Sequence, residues 1–570
     1  MTTLRPDHPD AWILGSGIAS LTAAVHLIQE AHLPPSRIHI IEKTLSVGGG
    51  VTASLGDAEH GYDYRGCVLP PFNDTCMDAL LSLVPSTSNP NQTLRDEIMQ
   101  HAQSLDRKTG SKPAHSRFLA SGNRGLGRMD AKGPTLTLKD RINLFMLASK
   151  TEKSLGRSSI HDFFSESFFC TGYWLLFATA FGFKPSHSAA EFRRYLHRFN
   201  DLHDLHCPRL LDCGKYNVHE STIAPIIRFL ESQGVDFRFK TTICDIMFAH
   251  DDERSPSEPT RVSAIQTSPA RECSISSSPH DEKTIQLQPD DIVIVSLGSV
   301  FSSVLAGNNT RPPSCLEQMQ RSNFMFDFAR PSNEQPVDCE LDENWLLWLE
   351  LCTKHSKFGN AYNFCTREHD SRLESFTITL SSPEFFALLS RTTRTAAAAT
   401  CDKPSPNTRF ILRDSAWLIT LCIPPQPVFP GQPAHIHVCW GYALHPEKTG
   451  NYISKPMLLC SGNEILTEIL HHLNFPRDSI LSQAITIPCI QPRVAAPLLP
   501  RTLDDDRPKV IPPGMSNMAV IGPFVDIQSE VVVTNDYSAR SAQMAVRQLM
   551  GVGPPGRTSR RSSAFHLLGV

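Results

Sequence analysis

The sequence predicts an α/β fold: a doubly wound parallel sheet assembled from pieces scattered along the chain, with a mixed α+β domain and a helical block between the pieces. Three observations carry this. The opening segment reads strand, glycine turn, helix, strand (Ala11 to Ile41). Two later apolar runs, Asp291-Ile292-Val293-Ile294-Val295-Ser296 and Met518-Ala519-Val520-Ile521, each end in a small-residue turn. Uninterrupted apolar strands of this length belong to sheets covered on both faces.

In chain order, Ala11 to Leu14 forms the first strand and meets Gly15-x-Gly17-x-x-Ser20. Gly15 permits the tight turn, Gly17 lets backbone approach a pyrophosphate, and the following helix offers free N–H groups and a positive dipole end. Ser20 stands where a third glycine is usual, and its small side chain still allows helix and strand to pack closely. The second strand, Arg37 to Ile41, ends on Glu42, with Lys43 next. Glu42 lies about 20 residues past the turn, where an acid accepts hydrogen bonds from a ribose. The second glycine cluster, Gly48-Gly49-Gly50, favours an extended flavin dinucleotide, FAD, over NAD. The domain is therefore read as an FAD-binding Rossmann-type unit of GR2-like organisation, with Lys43, Gly49 and Gly50 counted among its cofactor residues.

Further along, Gly234 to Phe239 reads as a strand after a helix (Ile223 to Ser232). The run from Asp291 returns beside the first strand and closes on Gly298-Ser299. The run from Met518 ends at Gly522 and leads into a helix from Ser538 to Met550, whose start is expected to face the flavin ribityl or pyrophosphate. The domain boundaries follow: 1–75, 221–310 and 511–552 form the nucleotide domain, 76–220 and 311–510 the substrate domain with its helical block, and 553–570 a flexible tail. Residues 251–284 and 391–408, rich in Ser, Pro, Thr and Ala, read as disordered inserts. In the helical block, Phe192, Tyr195, Leu196 and Phe199 recur at i, i+3, i+4, i+7, an amphipathic helix. His187 and His197 there are read as histidines satisfied at a helix face rather than as ligands or bases.

The totals restrict the function. A chain of 570 residues holds two or three domains, and a net charge of −4 provides no basic field for nucleic acid. Sixteen cysteines are scattered singly, without a CxxC pair or metal-finger spacing, so no metal site is expected. They read as small buried hydrophobes in a reduced, cytoplasmic setting. No stretch of about 20 apolar residues predicts a membrane span. The end of the tail, Arg557 to Leu568, is basic then apolar. It fits peripheral contact with an anionic membrane, though fraying is the preferred reading.

These segments together resemble the oleate hydratases, also called the myosin-cross-reactive antigen family. The landmarks are Leu14-Gly15-Ser16-Gly17-Ile18-Ala19-Ser20-Leu21, Tyr64-Arg65-Gly66, His187 to Tyr195, Lys215-Tyr216-Asn217, Trp440 to Leu444, Asp506 to Val510 and Val533 to Ala542. The resemblance implies FAD binding, with Arg65 and Gly66 near the flavin, and addition of water to the cis double bond of a long-chain unsaturated fatty acid without net redox change. It also implies a homodimer. Protonating an isolated alkene needs an acid in a dry pocket. The family pattern places a glutamate there, in an Arg-Gly-Gly-Arg-Glu loop.

This chain departs from the pattern at that point. Val68 and Leu69 stand at the second arginine and the glutamate, and leucine moves no proton. The family's Tyr-Asn-Gln-Tyr reads Tyr216-Asn217-Val218-His219. The carboxylate-recognising Thr-x-Asn-x-x-x-His falls on Cys422, Pro424 and Val428. Arg493, at the Met-Pro-Tyr segment, is either a new anion contact or one half of a structural salt bridge. Three readings stay open: a hydratase using Tyr216 or His219 as proton donor, with Glu220 or Asp63 able to reach the gap; a divergent flavoenzyme acting on another apolar polyene or polyketide-like chain; and a non-catalytic FAD- or lipid-binding protein. The plainer reading of Asp63 is a turn residue beside Gly61.

Overall fold

The computed structural model describes residues 8–49, 55–64, 73–109, 116–122, 125–129, 135–199, 205, 210–249, 260–270, 283–301, 303–313, 341–393 and 408–553. Gly50, Arg65, Gly66, Val68, Leu69, most of the two inserts and nearly all of the tail lie outside these residues.

One sheet is five-stranded and wholly parallel. Its central strand β1 (Ala11–Leu14) pairs with β11 (Ile292–Ser296) on one side and β2 (Ile38–Ile41) on the other; β18 (Met518–Ile521) flanks β11, and β7 (Asp236–Arg238) flanks β2. Every residue of β1 and β18 is buried, as the apolar runs require of a sheet covered on both faces. The start, middle and end of the chain thus meet in one Rossmann-type layer. The helix Ile18–Gln29 packs on the closing helix Asn535–Met550. Glu30, at the end of the first, accepts from Arg547 of the second through Nε at 2.8 Å and Nη2 at 2.9 Å.

A second sheet has eight strands, in the order β12 (Leu305–Ala306), β17 (Ala484–Gln491), β13 (Leu373–Leu380), β16 (His437–Ala443), β15 (Ile419–Ile423), β14 (Thr408–Leu412), β5 (Ser116–Gly122) and β6 (Gly125–Met129). Alternation sorts its faces. Phe376, Ile378 and Leu380 join a cluster with Ile465, Leu466 and Ile469 of the helix Gly462–Leu473. On the other face, Thr379 and Thr377 accept from the backbone N–H groups of Tyr62 (2.9 Å) and Tyr64 (3.0 Å), so the hairpin of β3 (Leu55–Asp57) and β4 (Gly61–Asp63) lies across that face.

The structure corrects several expectations. The insert 251–284 is not wholly disordered: β9 (Val262–Pro269) runs through it, between β8 (Thr241–Phe248) and β10 (Lys283–Gln286) in an antiparallel three-stranded sheet. Val262, Ala264 and Ile265 are buried there, which is apolar content enough for one strand. The insert 391–408 loses its edges, since the helix Glu384–Thr393 takes 391–393 and Thr408 opens β14. Two elements also cross the expected domain boundaries. Leu305–Ala306 pairs into the eight-stranded sheet, and the helix Glu343–Lys354 packs on β8 as well as on its neighbours within the substrate domain.

In the helical block, Phe192, Tyr195, Leu196 and Phe199 are all buried, as the period predicts. At about 1.5–3 kcal/mol per large apolar side chain, this stripe anchors the helix Ala189–Arg198. Both histidines are structural. His187 bonds Lys184 N through Nδ1 (3.0 Å) and Asp370 O through Nε2 (2.9 Å), and burial holds it down to about 3. His197 Nε2 meets Ala148 O at 3.0 Å. Most described cysteines are buried, but Cys170 and Cys244 are exposed and depart from the core reading.

Candidate functional site

The carboxyl ends of β1, β11 and β18 open on a cavity of about 440 Å³. Its wall includes Gly15, Gly17, Glu42, Lys43, Gly49, Gly298, Ser299, Gly522 and Ser538, nine residues singled out by the sequence. Ligands of open α/β sheets bind at this edge. Gly15 takes φ +97°, open to glycine and strained for other residues, and its N–H donates to Ile41 O at 2.9 Å, closing the turn onto β2. Gly49 takes φ +58°, and a Cβ added there would stand 2.9 Å from the Cα of Gly17. The two backbones therefore come together closely enough that a side chain on Gly49 does not fit.

The acid is held in place. Glu42 accepts from Ser16 Oγ at 2.5 Å, from Thr44 N at 2.9 Å and from Thr44 Oγ1 at 2.9 Å. Lys43 is spent on an ion pair with Glu343 at 2.5 Å. Ser20 does not line the cavity. It is fully buried on the first helix turn, with Oγ 3.9 Å from where a Cβ on Gly15 would stand, so it serves the close packing beneath the turn. Ser538 sits in the first turn of the closing helix, which begins earlier than expected, at Asn535, with Thr534 accepting from Tyr537 N as its cap.

Sequence reasoning missed Ser16, Thr44, Thr241 to Ile243, Asp342 to Asn344 and Val533 to Asn535 in the wall. Two carried a readable signal: Thr534 and Asp342 each precede a helix as a capping residue. Burial pushes the Asp342 carboxyl up, against the Trp345 N–H that it accepts. Ser16 and Thr44 sit beside Gly15 and Glu42 in the chain, whereas Thr241 to Ile243 arrive from a distant strand that no local pattern places there.

Tyr216 and His219 do not line this cavity, but Val218 between them does. Their segment is fixed by Asn217, whose N–H donates to Val428 O at 2.9 Å, and leads into a π-helical turn, His219–Ile223. Such turns recur at functional sites. His219 is buried, with Nδ1 3.3 Å from Glu220 Oε1; Tyr216 is half-buried, with the Lys215 ammonium 5.1 Å from its ring centroid. Asp63 is not a turn residue: it is buried in β4, paired with Leu55. Arg493 is fully buried, donates from Nε to Cys365 O at 3.0 Å and pairs with Glu368, so it is the structural salt bridge. Among the described residues no group of three or more His, Cys, Asp or Glu is placed to hold a metal, and no helix is long and apolar enough to cross a membrane.

A glycine-lined cavity at the carboxyl edge of a five-stranded parallel sheet defines the chain as a Rossmann-type α/β protein. Within that class, a profile described as the MCRA family matches residues 8–547, and the chain belongs to that family. It is 31% identical over 575 residues to an oleate hydratase of Streptococcus pyogenes serotype M49 (strain NZ131), covering 98% of this chain and 88% of that one. A linoleate hydratase of Lactiplantibacillus plantarum is 24% identical over 581 residues, covering 95% and 94%. Among solved structures, an oxidoreductase from Methanosarcina mazei overlaps with a TM-score of 0.48 at 11% identity, covering 95% of this chain and 100% of that one.

Proposed function

We propose that this protein binds FAD and adds water across the cis double bond of a long-chain unsaturated fatty acid, as a hydro-lyase. The observation that carries the reading is that two relatives aligned over nearly the whole chain are named fatty-acid hydratases, while the glycine cradle and the placed acid are both present here. The residues suit the cofactor. Gly15, Gly17 and the start of the helix Ile18–Gln29 would take the pyrophosphate, Glu42 a ribose hydroxyl, and Gly298, Ser299, Gly522 and Ser538 the flavin side, with Gly49 closing the turn. Gly50, Arg65 and Gly66 belong to the same proposed set. When bound, FAD supplies positioning and electrostatics, since hydration involves no net redox change.

The proton donor is the open chemical question, because Leu69 replaces the acid that the family resemblance implies. Tyr216 and His219 are the proposed donors, for their place on either side of Val218 at the cavity wall. The donor's proton goes to one alkene carbon, the oxygen of water bonds to the other, and the surplus proton of that water returns to the donor. Glu220, beside His219 Nδ1, suits the task of orienting the imidazole. Purified protein reconstituted with FAD, with and without reductant, is expected to convert oleate to hydroxystearate above a heat-killed control, read by mass spectrometry. Tight flavin binding without product would overturn the oleate reading.

A further inference from the structure

The helix Leu138–Ser149 carries apolar side chains on two sides. Leu144, Leu147 and Ala148 face the body of the protein, and a reciprocal cap between Thr137 and Asp140 fixes the helix start. On the outer side, Leu138 is 75% exposed, Ile142 50%, Phe145 48% and Met146 51%. Four of the ten large hydrophobics exposed among the described residues thus fall within nine positions, a patch rather than a scatter. Their spacing of i, i+4, i+7, i+8 gathers them into one stripe about 100° wide.

The exposed charges that the helix itself carries have one sign. On the same helical wheel Lys139 lies along one edge and Arg141 along the other, both exposed, and exposed Lys150 and Lys153 follow the helix end. The nearby acids are occupied. Asp140 is buried in the cap, and Glu152 pairs with Arg194 at 2.6 Å and Arg193 at 3.8 Å. An apolar stripe bordered on both sides by cations fits the boundary between lipid headgroups and acyl chains, where long basic side chains reach back to phosphate. A second copy of this chain fits it poorly, because a two-fold contact would set the two basic edges against each other.

We propose that this helix docks the protein onto an anionic lipid surface, with the stripe of Leu138, Ile142, Phe145 and Met146 inserted and Lys139 and Arg141 on the lipid phosphates. The inference stands independently of the hydratase reading. The test is co-sedimentation of the full chain with phosphatidylcholine vesicles containing phosphatidylglycerol, and with phosphatidylcholine alone. Wild-type protein is expected to sediment with the anionic vesicles and to be released by salt. The combined variant Leu138→Gln, Ile142→Gln, Phe145→Gln, Met146→Gln should lose roughly tenfold or more in binding. The pair Lys139→Glu, Arg141→Glu, which leaves the apolar stripe intact, should lose roughly thirtyfold. Circular dichroism and melting confirm that each variant is folded, and the charge pair decides if the apolar variant is not. The proposal is overturned if wild-type protein ignores anionic vesicles, if the folded variants sediment like wild type, or if light scattering shows the apolar variant breaking up an oligomer.

Discussion

Gly17 and Gly49 touch each other, yet an alanine at each should have opposite consequences. At Gly49 the backbone takes φ +58°, which costs an alanine about 1–2 kcal/mol. Its Cβ would also stand 2.9 Å from the Cα of Gly17, well inside the carbon–carbon optimum of about 3.5–4.0 Å. The obstruction is backbone, so no side chain can swing away, and overpacking adds about 1–3 kcal/mol. Gly49→Ala should therefore lower the stability of the cofactor-free protein by roughly 2–5 kcal/mol, or part the two loops. Gly17 has φ −69° and ψ 175°, ordinary for any residue, and a Cβ there meets nothing within 4 Å. Gly17→Ala should leave the free protein within about 0.5 kcal/mol of wild type. The added methyl would, however, stand in the cavity wall where a pyrophosphate is to cross. Affinity for FAD should fall by about 1–3 kcal/mol, or roughly five- to 150-fold. Urea unfolding of the cofactor-free protein and fluorescence titration with FAD read the two effects separately. A folded Gly17→Ala protein that binds FAD like wild type would refute the placement of the phosphate, and a Gly49→Ala protein as stable as wild type would refute the packing argument.

Four further outcomes are expected. Glu374 on β13 is fully buried, neither carboxylate oxygen has a hydrogen-bond partner among the described residues, and burial raises its pKa well above the usual range. Its folded pKa lies above the unfolded 4.5, so its favourable contribution is complete below pH 4.5, and wild type should lose stability as pH rises from there towards the folded value. Glu374→Gln should match wild type at pH 4 and exceed it at pH 8 in paired unfolding curves; parallel curves would sink the idea. Glu30 is lowered to about 2, chiefly by its hydrogen bond with His26, with burial opposing and Arg547 assisting. Its folded pKa lies below the unfolded 4.5, so its contribution is complete above pH 4.5 and is lost as pH falls towards 2. After discounting for solvent screening, Glu30→Gln should cost about 1 kcal/mol at pH 7, with a gap that closes in that acid window. Arg493→Met should strip the half-buried Glu368 of its partner and cost about 1.5–3 kcal/mol, read as a lower unfolding midpoint in urea, whereas an effect only on substrate KM would restore the anion-contact reading. If Tyr216 or His219 gives the proton, Tyr216→Phe or His219→Ala should lower kcat by about 10²–10⁴ with FAD affinity unchanged.

How much of this was legible depends on the range of the interaction that fixes each feature. Glycine turns, buried strands and helix stripes are set within about ten residues. Gly15, Gly17, Glu42, Gly298 and Gly522 could therefore be named from the chain, and all line one cavity. The same local logic gave His187 and His197 their structural roles and the Phe192 to Phe199 stripe its burial. It failed at residues 251–284, where Ser and Pro on either side hid one strand with just enough apolar content to pair. Arg493 shows the limit from the other direction: its residue type allowed an anion site or a salt bridge, and only Glu368, 125 residues away, decides between them.

The sequence by itself determined a dinucleotide turn and the apolar strands of a discontinuous parallel sheet, because steric turn requirements and apolar periodicity are local and nearly independent of context; the family followed from the resemblance of its landmarks. The tertiary structure alone decided that Lys43 is spent on Glu343 and that Asp342 joins the cavity wall. It also decided that Leu138, Ile142, Phe145 and Met146 face outward. Burial, pairing and exposure depend on which distant residue arrives opposite, and no single stretch of chain carries that information.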